Sequence, residues 1–274
     1  MMATVIAERP SIKAYMHRRA VNWSTLSEMQ KSPLAYQHRL TTPRESTPAM
    51  DLGRLVHTAV LEPERLETDY AVWSGGRRGT NEYKEWVLEN AGREVTTVTD
   101  FEKAQAIAAA VWAHKAARRV LRGGRTEQTL TWTDPVTHLR CKGRVDHIRG
   151  GALSDLKTTR TVEPRAFGRS VESFGSHAQM AFYRRGMAAS GYPDGPTRLI
   201  AVEQEPPHEV AVYVVPEEVL FAGDLIVGKL LHEVRLWRSR RRWPVRYEEE
   251  TTLDFPSWAL ASDSDYSNEI EVLP

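Results

Sequence analysis

Residues 141–159 read CKGRVDHIRGGALSDLKTT, from Cys141 through Gly150-Gly151 to Thr159. Two runs that suit strands flank the glycine pair, and a two-residue glycine loop is a strong hairpin signal. With that turn, Arg149 faces Ala152, and counting outward sets Asp146 opposite Asp155. Directly opposed residues point to one face, with Cβ atoms roughly 4.5–5.5 Å apart. Lys157 lies two positions beyond Asp155 and points to the same face. The spacing therefore predicts two carboxylates and an amine gathered on one side of a sheet.

Opposed like charges destabilise a hairpin unless something neutral or positive lies between them. A divalent cation meets that need. Mg²⁺ (or Mn²⁺) favours one or two carboxylates, completed by water and phosphate oxygens. Lys157 then stands where it can orient or deprotonate an attacking water. A Lewis acid, an activated water and a positive charge near a developing oxyanion are what phosphodiester hydrolysis requires.

Outward from the hairpin, three strands are expected at 128–133, 139–148 and 152–158, followed by a helix at 177–190. Strands at 198–203 and 210–215 and a long helix at 216–237 complete the second half. Upstream, a short helix begins near Ser24, where Thr25 and Glu28 have capping-box spacing, and stops at Ser32 before Pro33. Residues 50–61 carry a helical apolar stripe of Leu52, Val56, Ala59 and Val60, closed by Pro63. A basic glycine-rich loop covers 74–79, and helices follow at 81–90 and 100–121. This order suggests an α/β (α+β) fold, a mixed sheet flanked by helices with a helical N-terminal part.

The 274 residues are 41% hydrophobic and 27% charged, enough for a sizeable core, and exclude a fibrous or disordered chain. The net charge of +1 advertises no polyanionic partner, so local clusters matter more. Arg118, Arg119, Arg122 and Arg125 form one; Arg235, Arg238, Arg240, Arg241 and Arg242 form another, and both fit solvated helix ends. One cysteine, Cys141, excludes an internal disulfide. No apolar run reaches the ~20 residues needed to span a bilayer, and no apolar signal core opens the chain, so a cytoplasmic location without membrane attachment is expected. No phosphate loop for ATP is present.

The GRVD strand, the DLKTT strand and Gln179 to Tyr183 on the next helix resemble the RecB-type branch of the PD-(D/E)XK nucleases. Gly53 and His57 match that branch's early GxxxH helix. Within the branch the chain is similar to the RecE (exodeoxyribonuclease VIII) family. The shared features are Ser32-Pro33 with Tyr36, Thr47 to Met50 before LGRLVH, Leu61-Glu62-Pro63, Glu127, Cys141 to Arg144 and Glu205-Pro206-Pro207. They imply one exonuclease domain over 23–258, between a loose arm (1–22) and an acidic tail (259–274).

The resemblance implies a PD-(D/E)XK core and an Mg²⁺-dependent exonuclease, phage or prophage encoded, in a bacterial host. It would degrade double-stranded DNA from 5′ ends and leave 3′ single-stranded tails. It implies a ring-shaped homo-oligomer and a single-strand annealing partner of the RecT kind. An endonuclease, a single-strand-specific nuclease or a catalytically silent DNA-binding recombination protein are the alternatives on the same core. The implied metal ligands are His57, Asp146, Asp155 and the Leu156 carbonyl, with Lys157 positioning the water. Glu127 fits a second metal contact or a strand-end surface residue. Gln179 and Tyr183 share a helix face and fit a catalytic contact, although Tyr183 also fits plain packing. Arg77, Arg78 and Arg144 fit phosphate contacts, since arginine grips phosphate bidentately. Gly53 is expected to allow close approach of helix and sheet, and Glu62 to be a helix-end residue. His147 is expected to face away from Asp146. The four-cysteine iron–sulfur cluster of some relatives is not expected with Ser32 in place of a cysteine.

Overall fold

The structure, a computed structural model, describes residues 19–42 and 44–254. The expected arm lies outside the described residues except for 19–22, and the expected acidic tail lies wholly outside them.

The glycine hairpin forms. Strand β4 (Arg140–Arg149) turns through Gly150-Gly151 into β5 (Ala152–Thr159), with Arg149 opposite Ala152, Ile148 opposite Leu153 and His147 opposite Ser154. Gly150 has φ +59, the left-handed region that glycine enters without a steric cost. The other edge of β4 pairs with β3 (Arg125–Thr133). Beyond β5 the chain crosses over through α8 (Pro164–Ser173) and α9 (Ser176–Ala189). It returns as β6 (Thr197–Glu203), parallel to β5, and ends the sheet with antiparallel β7 (Val210–Val214). The five strands run in the order β3-β4-β5-β6-β7. The fold is thus the mixed α/β sheet expected.

Both faces of the sheet are covered. On one side lie α1 (Trp23–Leu26), α2 (Pro33–Thr41), α9 and the long α10 (Glu217–Arg240), packed through Leu26, Tyr36, Met180, Phe182 and Leu231. On the other lie α3 (Pro48–Leu61), α6 (Val98–Ala113) and α7 (Lys115–Leu121), packed through Leu55, Val56, Ile107 and Leu121. β5 joins the two layers: Leu153 faces the first cluster and Leu156 the second. Each is almost fully buried, which contributes roughly 1.5–3 kcal/mol per side chain.

The same strand pair carries an irregularity. Val145 and Ile148 both pack in the cluster under α9. They are three positions apart, so the two-residue alternation of a strand breaks between them, at Asp146-His147. On β3, Glu127 lies between the partners of His147 and Val145, and its φ is +51. A glutamate in the left-handed region is uncommon, and such backbone is concentrated at functional sites.

Several expected boundaries change. Ser32-Pro33 does end the first helical segment, but it also starts α2: Ser32 Oγ accepts the Ala35 N–H and Pro33 takes the first helical position, where its missing N–H costs nothing. α1 is capped by Asn22, not by a box at Thr25. The expected helix 100–121 is two helices, α6 and α7, broken at His114, whose Nδ1 caps α7. α8 was not expected; its cap is Glu163, an unusual capping residue. A small parallel sheet, β1 (Tyr70–Trp73) with β2 (Glu94–Thr97), was also not expected, because four-residue strands carry little periodic signal. The short α4 (Leu66–Asp69) precedes β1, and α5 (Asn81–Glu89) follows the basic loop.

Candidate active site

β4 and β5 part company after the His147–Ser154 pair. Asp146 and Asp155 are therefore not a ladder pair, which corrects the register count. β5 instead follows β6, and the gap receives the Asp146 side chain, whose Oδ2 accepts the Leu156 N–H at 2.8 Å. The divergence is what makes room for a site between two strands that would otherwise be zipped.

Four elements aim side chains at this gap. His57 comes from the last turns of α3, with Nδ1 3.5 Å from Asp146 Oδ2. Glu127 comes from β3. One ligand atom each from His57, Glu127 and Asp146 lie within 4.8 Å of one another. From β5, Asp155 is 2% exposed and its Oδ2 lies 2.6 Å from Lys157 Nζ. From α9, Gln179 Oε1 accepts from Lys157 Nζ at 3.0 Å, and its Nε2 donates to Tyr183 OH at 3.0 Å. Asp155, Lys157, Gln179 and Tyr183 thus form a continuous chain, which places Gln179 and Tyr183 beside the charged groups.

The electrostatics are those of unsatisfied negative charge. Burial, then the Asp155 carboxylate, pushes the Asp146 carboxyl up to about 7, with His57 and Lys157 opposing. Burial alone would lower the Lys157 pKa, but Asp155 and then Asp146 hold it above the usual lysine value. The carboxylates of Asp146 and Glu127 with the His57 imidazole are a donor set of hard oxygens plus one nitrogen. It fits a divalent cation, whose charge would reverse the strain on Asp146.

Arg144 is turned to structural use. Its guanidinium pairs with Glu127 and lies 3.4 Å from Glu62 Oε2. Glu62 caps α3, is 4% exposed and also pairs with Arg65 at 3.1 Å. Glu62 is a helix-end residue as expected, but it belongs to the network that holds Glu127. A sequence signal existed, since an acidic side chain at a helix C-terminus opposes the macrodipole and needs a cation partner. Arg77 and Arg78 sit exposed in the loop between β1 and α5. His147 Nε2 donates to Gly123 O at 2.6 Å, at the α7–β3 turn.

The glycines are used differently from the expectation. A Cβ on Gly53 would meet Thr158 Oγ1 at 3.9 Å, an ordinary contact, so the helix does not need glycine there for space. A Cβ on Gly143 would come within 2.9 Å of the Tyr183 ring. Gly143 therefore lets β4 sit against the aromatic ring that supports Gln179.

Comparison with known proteins adds the fold family. A crystal structure of a protein from Eubacterium rectale, described as a candidate exonuclease, superposes with a TM-score of 0.62 at 13% identity, covering 97% of this chain and 99% of that one. A search of curated proteins finds no match. A family profile matches residues 22–253, nearly all of the described chain and every residue of the site. The chain therefore belongs to the family described as the PDDEXK-like domain of unknown function (DUF3799).

Proposed function

We propose that the protein is an Mg²⁺-dependent exodeoxyribonuclease that degrades double-stranded DNA from 5′ ends and leaves 3′ single-stranded tails. The observation that carries this reading is the convergence of His57, Glu127, Asp146, Asp155 and Lys157 where β4 and β5 separate. The description of the Eubacterium rectale protein accords with it.

Asp146, His57 and Glu127 would hold the ion, and Asp155 and the Leu156 carbonyl would be its further ligands. A divalent ion supplies Lewis acidity and lowers the pKa of water toward neutrality. The chain's own groups do the rest. Lys157 is held as a cation by Asp155, and an ammonium has three donors. Two are engaged by Asp155 and Gln179, which leaves one to meet a phosphate oxygen and offset its developing charge. Gln179, braced by Tyr183, keeps the amine from swinging away. Arg144 and Glu62 hold the Glu127 carboxylate in place. Copies of the chain assemble as a ring around the duplex and pass 3′ tails to a RecT-like annealing protein in a bacterial cytoplasm.

The test is digestion of linear duplex labelled at either end, beside a covalently closed circle, in Mg²⁺ and in EDTA. The reading expects Mg²⁺-dependent loss of the 5′ label first and an intact circle. A cut circle, or first loss of the 3′ label, overturns the proposed specificity.

A further inference from the structure

The two arginine clusters of the sequence meet different fates. Near the end of α10, Arg235 donates to Thr137 O at 2.9 Å, Arg238 to Tyr36 OH at 2.8 Å, and Arg242 pairs with Glu248. Those charges tie the chain to itself. The cluster on α7 is not used in this way. Lys115, Arg118, Arg119 and Arg122 are exposed, and among the described residues none of their side chains forms an ion pair or a hydrogen bond. Arg149, at the hairpin, joins them by donating to Arg119 O at 3.1 Å. Four arginines and a lysine thus line one concavity of about 370 Å³ without a carboxylate among its walls.

This concavity shares Arg119 and Arg149 with a second, of about 500 Å³, between α7 and the sheet. Arg198 of β6 adds a further cation there, and His147 and Ser154 form part of the wall. Both are 1% exposed, and His147 Nδ1 and Ser154 Oγ have no hydrogen-bond partner among the described residues. A buried polar atom left in this way costs free energy until something bonds to it. His147 and Ser154 pair across β4–β5, and each is the sequence neighbour of one carboxylate of the active site, Asp146 or Asp155. Along each strand the basic hollow therefore ends one residue from a carboxylate of the active site.

We infer that this face, from Lys115 and Arg122 on α7 across Arg149 to Arg198, is a phosphate-backbone track for the DNA strand beyond the scissile bond. The inference rests on the nuclease reading and adds the surface that grips the substrate. Charge complementarity selects the occupant: a chain of net charge +1 concentrates here six cations that have no carboxylate partner among the described residues, and spaced arginines match a repeating phosphate better than a single small anion. These contacts are to the backbone and carry no sequence preference.

The experiment compares two full-length proteins, Asp155→Asn and Asp155→Asn with Lys115→Gln, Arg118→Gln and Arg122→Gln, for binding of a labelled tailed duplex across a salt series. Each lost phosphate contact flattens the slope of log K against log salt by about 0.9, so the triple change should flatten it by about 2–3 and weaken binding by about 10-fold or more at moderate salt. The same three changes in the protein with Asp155 intact should raise the DNA concentration for half-maximal rate. Equal affinity and slope in the two proteins overturns the track and leaves the nuclease reading standing. If neither the parent nor Asp155→Asn binds DNA, both fall. If thymidine monophosphate binds and loses affinity on the triple change while duplex binding does not, the hollow is a mononucleotide site and the strand track is overturned.

Discussion

Asp146 Oδ2 accepts the Leu156 N–H at 2.8 Å, so a side chain of β4 replaces the ladder bond that would have continued the β4–β5 hairpin. The bond anchors Asp146 at the mouth of the gap, and its cost is a carboxylate buried beside Asp155. Asp146→Asn keeps an acceptor for Leu156 and removes that charge. We expect it to reduce metal-dependent nuclease activity by about 10²-fold or more, because losing an ion ligand forfeits several kcal/mol of transition-state stabilisation. Without metal, the folded parent holds the Asp146 proton up to about 7, well above an unfolded aspartate near 3.9. The folded state then binds more protons than the unfolded state between those values, so stability falls as pH rises through that window. In EDTA, the melting temperature of the parent should rise as the pH is lowered from about 8 to about 6.5, the lower bound set by histidine protonation. His147, whose pKa is lowered by burial, works in the opposite direction below that bound. Asp146→Asn should flatten the dependence, and Mg²⁺ should reduce it in the parent. A parent that melts lower at the lower pH would contradict the burial argument.

Lys157 and Gln179 make a separable pair. Lys157→Ala removes the amine beside Asp155 and should reduce the rate at saturating DNA by about 10²–10⁴-fold. Lys157→Arg should rescue little, because a planar fork cannot occupy the point between Asp155 and Gln179 that an ammonium fills. Gln179→Ala frees the amine without removing it, and a loss of about 10-fold is expected, of the size that follows when a supporting partner is removed. Steady-state kinetics on the three variants would show whether this ranking holds.

Arg144 tests the network behind Glu127. Arg144→Ala takes the guanidinium from Glu127, while Glu62 keeps Arg65, which it shares with Asp69. Removing one partner of a buried pair costs about 3–5 kcal/mol, so urea unfolding should show a loss near that size. A surface arginine whose sole task is to touch DNA would leave stability unchanged on removal.

Two glycines give opposite expectations. Gly143→Ala puts a methyl within 2.9 Å of the Tyr183 ring and should cost about 1–3 kcal/mol while disturbing Gln179. Gly53→Ala has room at 3.9 Å and, within a helix, should be neutral or stabilising by up to about 1 kcal/mol. Thermal denaturation of the two variants is the check.

The sheet was legible because its signals are local: a Gly-Gly turn, alternating strands, and an Asp-x-Lys spacing that puts two groups on one face. Asp146, Asp155 and Lys157 were drawn together by spacing, though not in the register counted, whereas His57, Glu127, Gln179 and Tyr183 came from the family resemblance; the structure sets all seven around one gap. The parting of β4 from β5 was not legible, because it depends on β5 pairing with β6 some forty residues later. The tie between Arg144, Glu127 and Glu62 spans three elements and has no local spacing to betray it. α2 was hidden by reading Ser32-Pro33 only as a stop, although the same pair caps and opens a helix. The hollow beside α7 was visible as charge but not as shape, since only the fold brings Arg149 and Arg198 beside Arg119.

Nucleotide release from linear duplex DNA, compared between the parent and Asp155→Ala in Mg²⁺ and in EDTA, decides whether the gap between β4 and β5 is a metal-dependent hydrolytic centre. Release is expected from the parent in Mg²⁺, none in EDTA, and none from a folded Asp155→Ala in either. Digestion by Asp155→Ala at the parental rate, or by the parent in EDTA, would contradict this.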